Sequence, residues 1–322
     1  MPDNSVLAVD AYKIVKRIAM GGFGIVDQGV GPNGEVVALK KERSSKRVTR
    51  PSLAHEHKVY QALAGHPCIP AVRAFGRQGN FDVLVMDLLG PSLGDRYRKH
   101  GGKFSLSATA TLGLGMLDAI EYIHYKGFIH RDLKPDNFLF GRTGDQVHTI
   151  HPVDFGLTRH YRDPHTGLHF PYSEGVQLMG TLNYASLGAH LGQAQSRRDD
   201  LQSFAYILLH FARGSLPWEN LRGGTDRHRE LRTQEKKRSW TAARLCAGFP
   251  AEMEVFTEHC LKLGWSEDPQ YNLLRDQLSK LAGDQKKELL QVWNPETEDT
   301  LVRLYRDPSS GTSSSSSSSG RH

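Results

Sequence analysis

His130-Arg131-Asp132-Leu133-Lys134-Pro135-Asp136-Asn137 gathers a candidate general base, a candidate phosphate-binding cation and a candidate metal ligand into one short segment. Asp132 is a carboxylate able to accept or orient a hydroxyl proton, and Lys134 is an ammonium able to neutralise phosphoryl charge. Asn137 offers an oxygen to a hard divalent cation. An apolar helical run leads into the segment, and a short β-like interval separates it from Asp154-Phe155-Gly156, where Asp154 is a second hard ligand. His130-Arg131-Asp132 alone also reads as a polar turn. The spacing of Lys134 and Asn137 behind it favours the chemical reading.

The run before this segment begins at Ser105, a helix N-cap candidate, and carries Leu112, Met116, Leu117, Ile120 and Ile123 at helical spacing. Gly127 is placed to end it. Nearer the amino terminus, Tyr12–Ile18 is strand-like and is followed by Ala19-Met20-Gly21-Gly22-Phe23-Gly24 and Ile25-Val26. Pro32-Asn33-Gly34 is a turn before the strand Glu35-Val36-Val37-Ala38-Leu39-Lys40. Such glycines let backbone N–H groups approach a phosphate chain, with Phe23 as a cover. Lys40 ends an apolar strand, where a free ammonium is costly to desolvate without a partner. Glu56 is the proposed partner, in a helix-like stretch from Ser52 to Leu63 whose Leu53, Val59, Tyr60 and Leu63 make an inward face. An ordinary solvated carboxylate is the alternative for Glu56. Phe81-Asp82-Val83-Leu84-Val85-Met86 reads as a buried strand running into Asp87-Leu88-Leu89-Gly90-Pro91, a break suited to a hinge between lobes. A planar ring could bond backbone groups around Leu89, with Val26 and Ala38 above it and Met86 behind it.

At 322 residues the chain accommodates one bilobal domain or two small ones. Its 38% hydrophobic and 24% charged residues are those of a soluble globular protein. A net charge of +6 favours acidic or phosphate-bearing partners, but no nucleic-acid-binding module is recognisable, so direct nucleic-acid binding is not expected. Cys68, Cys246 and Cys260 lack CxxC spacing, and His55-Glu56-His57 and His148…His151 lack zinc-site companions. No apolar run is long enough to cross a bilayer, the amino terminus lacks signal-peptide character, and Gly320-Arg321-His322 offers no cysteine for lipidation. The expectation is a monomer without a membrane anchor, in the cytoplasm, the nucleus or both.

Taken together, these motifs resemble the casein kinase 1 family of eukaryotic Ser/Thr protein kinases. The resemblance extends to Leu88-Leu89-Gly90-Pro91-Ser92-Leu93, Lys134-Pro135-Asp136-Asn137-Phe138-Leu139, Tyr161-Arg162-Asp163 and Tyr184-Ala185-Ser186, the last standing where most kinases have Ala-Pro-Glu. Ser196-Arg197-Arg198-Asp199-Asp200-Leu201, Gly214-Ser215-Leu216-Pro217-Trp218 and Glu235-Lys236-Lys237 complete it. The resemblance implies an α+β bilobal kinase fold, with a small β-rich N-lobe carrying one helix and a larger, mainly helical C-lobe. Its domain would occupy residues 11–284, with N-lobe 11–87, hinge 87–91 and C-lobe 92–284. It also implies ATP and Mg²⁺ as cofactors and protein Ser/Thr hydroxyls as acceptors. Asp132 and Lys134 would be catalytic, and Asn137 and Asp154 would bind metal. Ala19, Met20, Gly21, Gly22, Phe23, Gly24, Val26, Ala38, Lys40, Glu56, Met86 and Leu89 would surround the nucleotide.

Several features complicate this reading. Ala19 stands where the first glycine of the phosphate loop is expected, which favours a pseudokinase binding module as the alternative. Family members commonly carry basic residues where this chain has Ser173, Val176 and Asn183, so a preference for phosphoprimed substrates is expected to be weakened or altered. Arg229 stands where the family has a lysine at a second anion site. Leu201, Phe204, Leu208 and Leu209 make an apolar helix face, and Asp200 either ties down the catalytic loop or caps the helix. Thr225–Ser239 is rich in Arg and Lys, either a solvated basic surface or a patch for an acidic partner or nuclear import. Residues 285–305 read as a helical extension and linker, and 306–322 as a serine-rich disordered tail, either filler or an inhibitory segment.

Overall fold

Short runs rich in Val, Ile and other apolar residues build the amino-terminal sheet. The computed structural model describes residues 8–21, 24–44, 53–142, 146–221 and 224–283. Gly22, Phe23, Ser52, the expected extension 285–305 and the tail 306–322 therefore lie outside the described residues. Strands β1 (Lys13–Gly21), β2 (Gly24–Val30), β3 (Val36–Arg43), β4 (Val72–Gln78) and β5 (Phe81–Asp87) form one antiparallel sheet in the order β1-β2-β3-β5-β4. The β2–β3 turn falls on Pro32-Asn33-Gly34, where Gly34 supplies a φ of +81° and its N–H donates to Gly31 O at 3.0 Å. Register pairs Ala19 with Val26, Val26 with Lys40 and Ala38 with Met86, so candidate ligand residues from four strands lie side by side. Helix α1 (Leu53–Leu63) buries Leu53, Val59, Tyr60 and Leu63, and Glu56 falls on the same stripe.

The larger lobe is mainly helical. Its helices begin with α2 (Leu93–Lys99) and α3 (Leu106–Tyr125) and continue with α4 (Leu187–His190), α5 (Arg197–Arg213), α6 (Asp226–Ser239), α7 (Ala242–Leu245), α8 (Ala251–Lys262) and α9 (Tyr271–Ala282). Ser105 Oγ accepts the Ala108 N–H at 3.0 Å to start α3, and Gly127 closes the helix end at φ +86°. Two short antiparallel pairs follow: β6 (Phe128–Ile129) with β9 (Arg159–His160), and β7 (Phe138–Phe140) with β8 (Ile150–Pro152). They clamp both ends of the segment from His130 to Asn137.

The expected apolar face of α5, Leu201, Phe204, Leu208 and Leu209, is buried, and burial extends beyond it to all of Leu201 through Ala212, because α3 packs on one side and α8 on another. One expectation requires correction. The basic stretch of α6 is not a uniform solvated surface. Lys236 and Arg238 are exposed, but Lys237 is buried, sharing an inward stripe with Thr233 one helical turn earlier.

A shared apolar cluster joins the lobes, with Leu53, Val59, Tyr60, Leu63, Leu84 and Met86 meeting Ala119, Ile123, Phe128 and Phe155. Fully burying a side chain of this size contributes about 1.5–3 kcal/mol. Phe155 is fully buried and meets the Tyr60 ring edge-on at 4.8 Å, so the residue after Asp154 anchors α1 to the larger lobe. Among the described residues, no helix is long and apolar enough to cross a membrane.

Candidate active site

The strand end at Lys40 and the inward stripe of α1 produce the first contact of the site. Lys40 Nζ lies 2.6 Å from Glu56 Oε2 and 2.8 Å from Asp154 Oδ1, in a setting where the lysine side chain is only 13% exposed. Burial works against the ammonium, but the two carboxylates outweigh it and hold its pKa above the ordinary lysine value. Burial also opposes ionisation of Asp154, yet Lys40, His130 and Lys134 together hold its carboxyl below the usual range. Glu56 is therefore no solvated helix carboxylate.

The catalytic segment is held in a conformation it would not adopt alone. Arg131 sits at φ +72° and Asp154 at φ +67°, both in the left-handed region that non-glycine side chains disfavour. Asp200, at the start of α5, fixes the first of these. Its carboxylate accepts the His130 N–H at 2.7 Å and the Arg131 N–H at 2.9 Å. His124 Nε2 lies 2.9 Å from the same carboxylate, and Tyr271 OH lies 2.6 Å from His124 Nδ1. Burial opposes the Asp200 charge, but these hydrogen bonds overcome it and lower its pKa. Helix capping falls to Asp199 instead, which accepts the Ser196 N–H at 2.8 Å.

Asp132 follows, only 4% exposed, with each carboxylate oxygen engaged. Lys134 Nζ stands 2.7 Å from Oδ2, and Thr181 Oγ1 donates to Oδ1 at 2.8 Å. Asn137 Nδ2 donates to the Asp132 carbonyl at 2.9 Å, which fixes its amide orientation. Base, cation and amide are thus locked to one another before any ligand arrives.

Between the lobes lies a cleft of about 590 Å³. Ala19, Met20, Gly21, Gly24, Val26 and Ala38 line it from the sheet, and Lys40, Glu56, Met86 and Leu89 from its back and hinge edge. Lys134, Asn137 and Asp154 complete it from the larger lobe, while Asp132 is reached through its contact with Lys134. The hinge is pinned below, with the Gly90 N–H donating to Phe140 O at 2.8 Å and the Phe140 N–H to Pro91 O at 3.1 Å. Gly24 lines the cleft and also carries a packing constraint. It lies at φ +117°, and a Cβ there would collide with the Lys41 carbonyl oxygen, so it serves strand contact. A Cβ at Gly21 would meet nothing, which leaves that edge open to a ligand. Ala19 pairs with Val26 beside a register shift in β1 and does not lie at positive φ, so the backbone there does not demand a glycine.

Sequence reasoning missed Ile18 and Leu139, which also line the cleft, and Thr181. Leu139 carried a usable signal: it alternates with Phe138 and Phe140, both buried, and so must face the other way. Thr181 carried none, because it lies far along the chain from Asp132. The cleft's volume suits a nucleotide. An amide oxygen and a carboxylate on one wall are hard donors of the kind that would hold Mg²⁺, while Lys40 and Lys134 suit the phosphates that would accompany it.

Residues 12–272 match the sequence model for the protein kinase domain. Over 267 residues the chain is 40% identical to casein kinase I homolog 2 of Schizosaccharomyces pombe. That match takes in 82% of this chain and 61% of the relative, so the chain spans less than two thirds of the relative's length.

Proposed function

Since the chain belongs to the protein kinase family and, within it, to the casein kinase 1 family, we propose that it transfers the γ-phosphoryl group of ATP to Ser and Thr hydroxyls of proteins. The catalytic domain in this reading is 11–284, hinged at 87–91, and acts as a monomer in the cytoplasm, the nucleus or both. Asn137 and Asp154 would hold Mg²⁺, which would supply positive charge against that of the phosphates. Lys40, oriented by Glu56, positions the α- and β-phosphates. Val26, Ala38 and Leu89 enclose the adenine, with Met86 behind it. Asp132 orients the acceptor hydroxyl and takes its proton, and Lys134 neutralises charge on the group in transit.

The observation that carries this reading is the Asp132 carboxylate, buried and held at 2.7 Å by Lys134 and at 2.8 Å by Thr181 beside a cleft lined by Lys40 and Asp154. Such preorganisation is what phosphoryl transfer needs, since its catalysis is mostly positioning and electrostatics. Ala19, the main sequence argument for a pseudokinase, is a strand residue outside the left-handed region, where glycine is not required. Radiolabelled transfer from Mg·ATP to dephosphorylated casein tests the proposal. Wild type should label serine, and Asp132→Asn should lose roughly 10²–10⁴-fold of the rate while unfolding at a similar temperature. Wild-type turnover in that variant would remove Asp132 from its role.

A further inference from the structure

Helix α6 is charged along most of its length, yet it sends one lysine inward. Lys237 is 4% exposed, and its ammonium meets Leu182 O at 2.9 Å, Ala185 O at 2.6 Å and His190 Nε2 at 3.1 Å. The rings of Tyr206 and Trp218 each lie 5.1 Å from Nζ. Among the described residues no carboxylate pairs with it, and burial pushes its pKa well down. An ammonium is an expensive filler for such a pocket, since a methionine would occupy the space without the desolvation cost. What methionine cannot supply is donors to the two carbonyls.

Those carbonyls belong to a segment that reaches the reacting group. The Trp218 Nε1–H donates to Asn183 O at 2.8 Å, and Thr181 O accepts the N–H groups of Tyr184 and Ala185, each at 2.9 Å. From Thr181 to Ala185, every carbonyl except that of Tyr184 therefore has a named donor. At the front of the segment, the Thr181 hydroxyl donates to Asp132 Oδ1 at 2.8 Å. Just before it, Gly180 crosses the catalytic loop so closely that a Cβ there would stand 2.6 Å from Arg131 O. One end of this short segment is thus held by α6, and the other touches the proposed base.

Building on the kinase reading, we propose that Lys237 is a positioning residue for the phosphoryl acceptor. By holding Leu182 O and Ala185 O, it sets the Thr181–Ala185 segment, the Thr181 hydroxyl on Asp132 and the path of the substrate chain past that hydroxyl. Lys237 touches neither nucleotide nor acceptor. Its effect belongs to acceptor use and not to Mg·ATP binding, because neither Lys237 nor the Thr181–Ala185 segment lines the cleft.

Steady-state kinetics of the full chain on a Ser peptide, with a separate titration of Mg·ATP, test this in wild type, Lys237→Met, Thr181→Val and the double variant. Lys237→Met should lower peptide kcat/KM roughly tenfold, the order expected when a buried carbonyl loses its donor. Its Mg·ATP affinity should stay within about twofold of wild type, because no nucleotide-facing group moves. Adding Thr181→Val to it should cost less than in wild type, since both act through one contact. Unchanged peptide kcat/KM in Lys237→Met overturns the proposal. So does an equal loss of peptide use and nucleotide binding, which marks a merely structural lysine. If the methionine variant is too unstable to assay, Lys237→Gln, which retains a donor group, decides by the same ratio. A wild-type chain that transfers nothing to any Ser peptide or protein sinks the kinase reading itself, an outcome distinct from selective failure of the variants.

Discussion

Lys40 shows how single charges set the working range of the site. It sits between Glu56 at 2.6 Å and Asp154 at 2.8 Å, so its proton is held more tightly than in water. Asp154 is displaced in the opposite direction, with burial outweighed by Lys40. A depressed carboxylate stays ionised as pH falls through the ordinary Asp value of about 3.9, and a raised lysine stays charged past its own. The stability this pair contributes is thus present above the unfolded Asp value and lost only as pH falls through the lower folded one. Titration of Asp154 should therefore not limit Mg·ATP affinity anywhere from about pH 8 down to about pH 5. In Lys40→Met the largest opposing charge is gone and only His130 and Lys134 still act against burial of Asp154, so affinity should begin to fall at a higher pH than in wild type. Calorimetric titrations across that range check the shift, and coincident acid limbs in the two proteins would refute it. The pairing of Lys40 with Glu56 was legible because both residues stand on apolar stripes where an unpaired charge is untenable. The packing constraint on Gly24 was not, because it comes from the Lys41 carbonyl on the neighbouring strand.

Helix α5 shows the same division among elements. The existence of α3 and α5 could be read from apolar spacing and from Ser105 and Gly127, since those signals are local. The full burial of α5 could not, because it depends on α3 and α8 meeting it from different sides. The sequence left two roles open for Asp200, a helix cap and a tie to the catalytic loop. Tertiary structure separates them, giving Asp199 the cap and Asp200 the catalytic loop. Asp200→Asn keeps the shape but presents an NH₂ or a weaker acceptor to two backbone donors and removes the charge facing His124. We expect it to destabilise the fold by about 3–5 kcal/mol, the usual cost of breaking a buried charged network. It should also depress transfer, since Arg131 at φ +72° loses the contact that keeps it there. Urea titration checks the first effect, and a change under about 0.5 kcal/mol would mean that the loop holds itself.

The net charge of +6 suggests a molecule inclined toward acidic partners, but the placement of its cations argues otherwise at the acceptor side. Several are committed to internal pairs: Arg197 to Asp268 at 2.6 Å, Arg275 to Asp118 and Glu121 at 2.7 Å each, and Arg98 to Asp95 and Asp136 at 2.8 and 2.9 Å. Lys237 is buried, and Arg229 bonds Asp226 within its own helix. Arg131 faces the loop region but gives Nε to Gln195 Oε1 at 2.9 Å and an η-nitrogen to Leu157 O at 3.3 Å. Burial and the neighbouring Arg159 push its pKa down to about 10, so it remains charged at neutral pH but is already engaged. On the loop itself Ser173, Val176 and Asn183 carry no charge, and an amide or hydroxyl replaces a guanidinium poorly at a phosphate. Total charge acts over a Debye length of about 8 Å and favours any anionic chain weakly, whereas selection of one phosphate needs donors at one place. Initial rates on a phosphoprimed peptide, an acidic peptide and an unprimed control should accordingly differ by less than about tenfold, equivalent to roughly 1.4 kcal/mol. Installing the missing cations as Val176→Lys and Asn183→Arg should raise the primed-to-unprimed ratio, and added salt should erode that gain. A strong primed preference in the wild-type chain would show that phosphate recognition here relies on cations other than those of this loop.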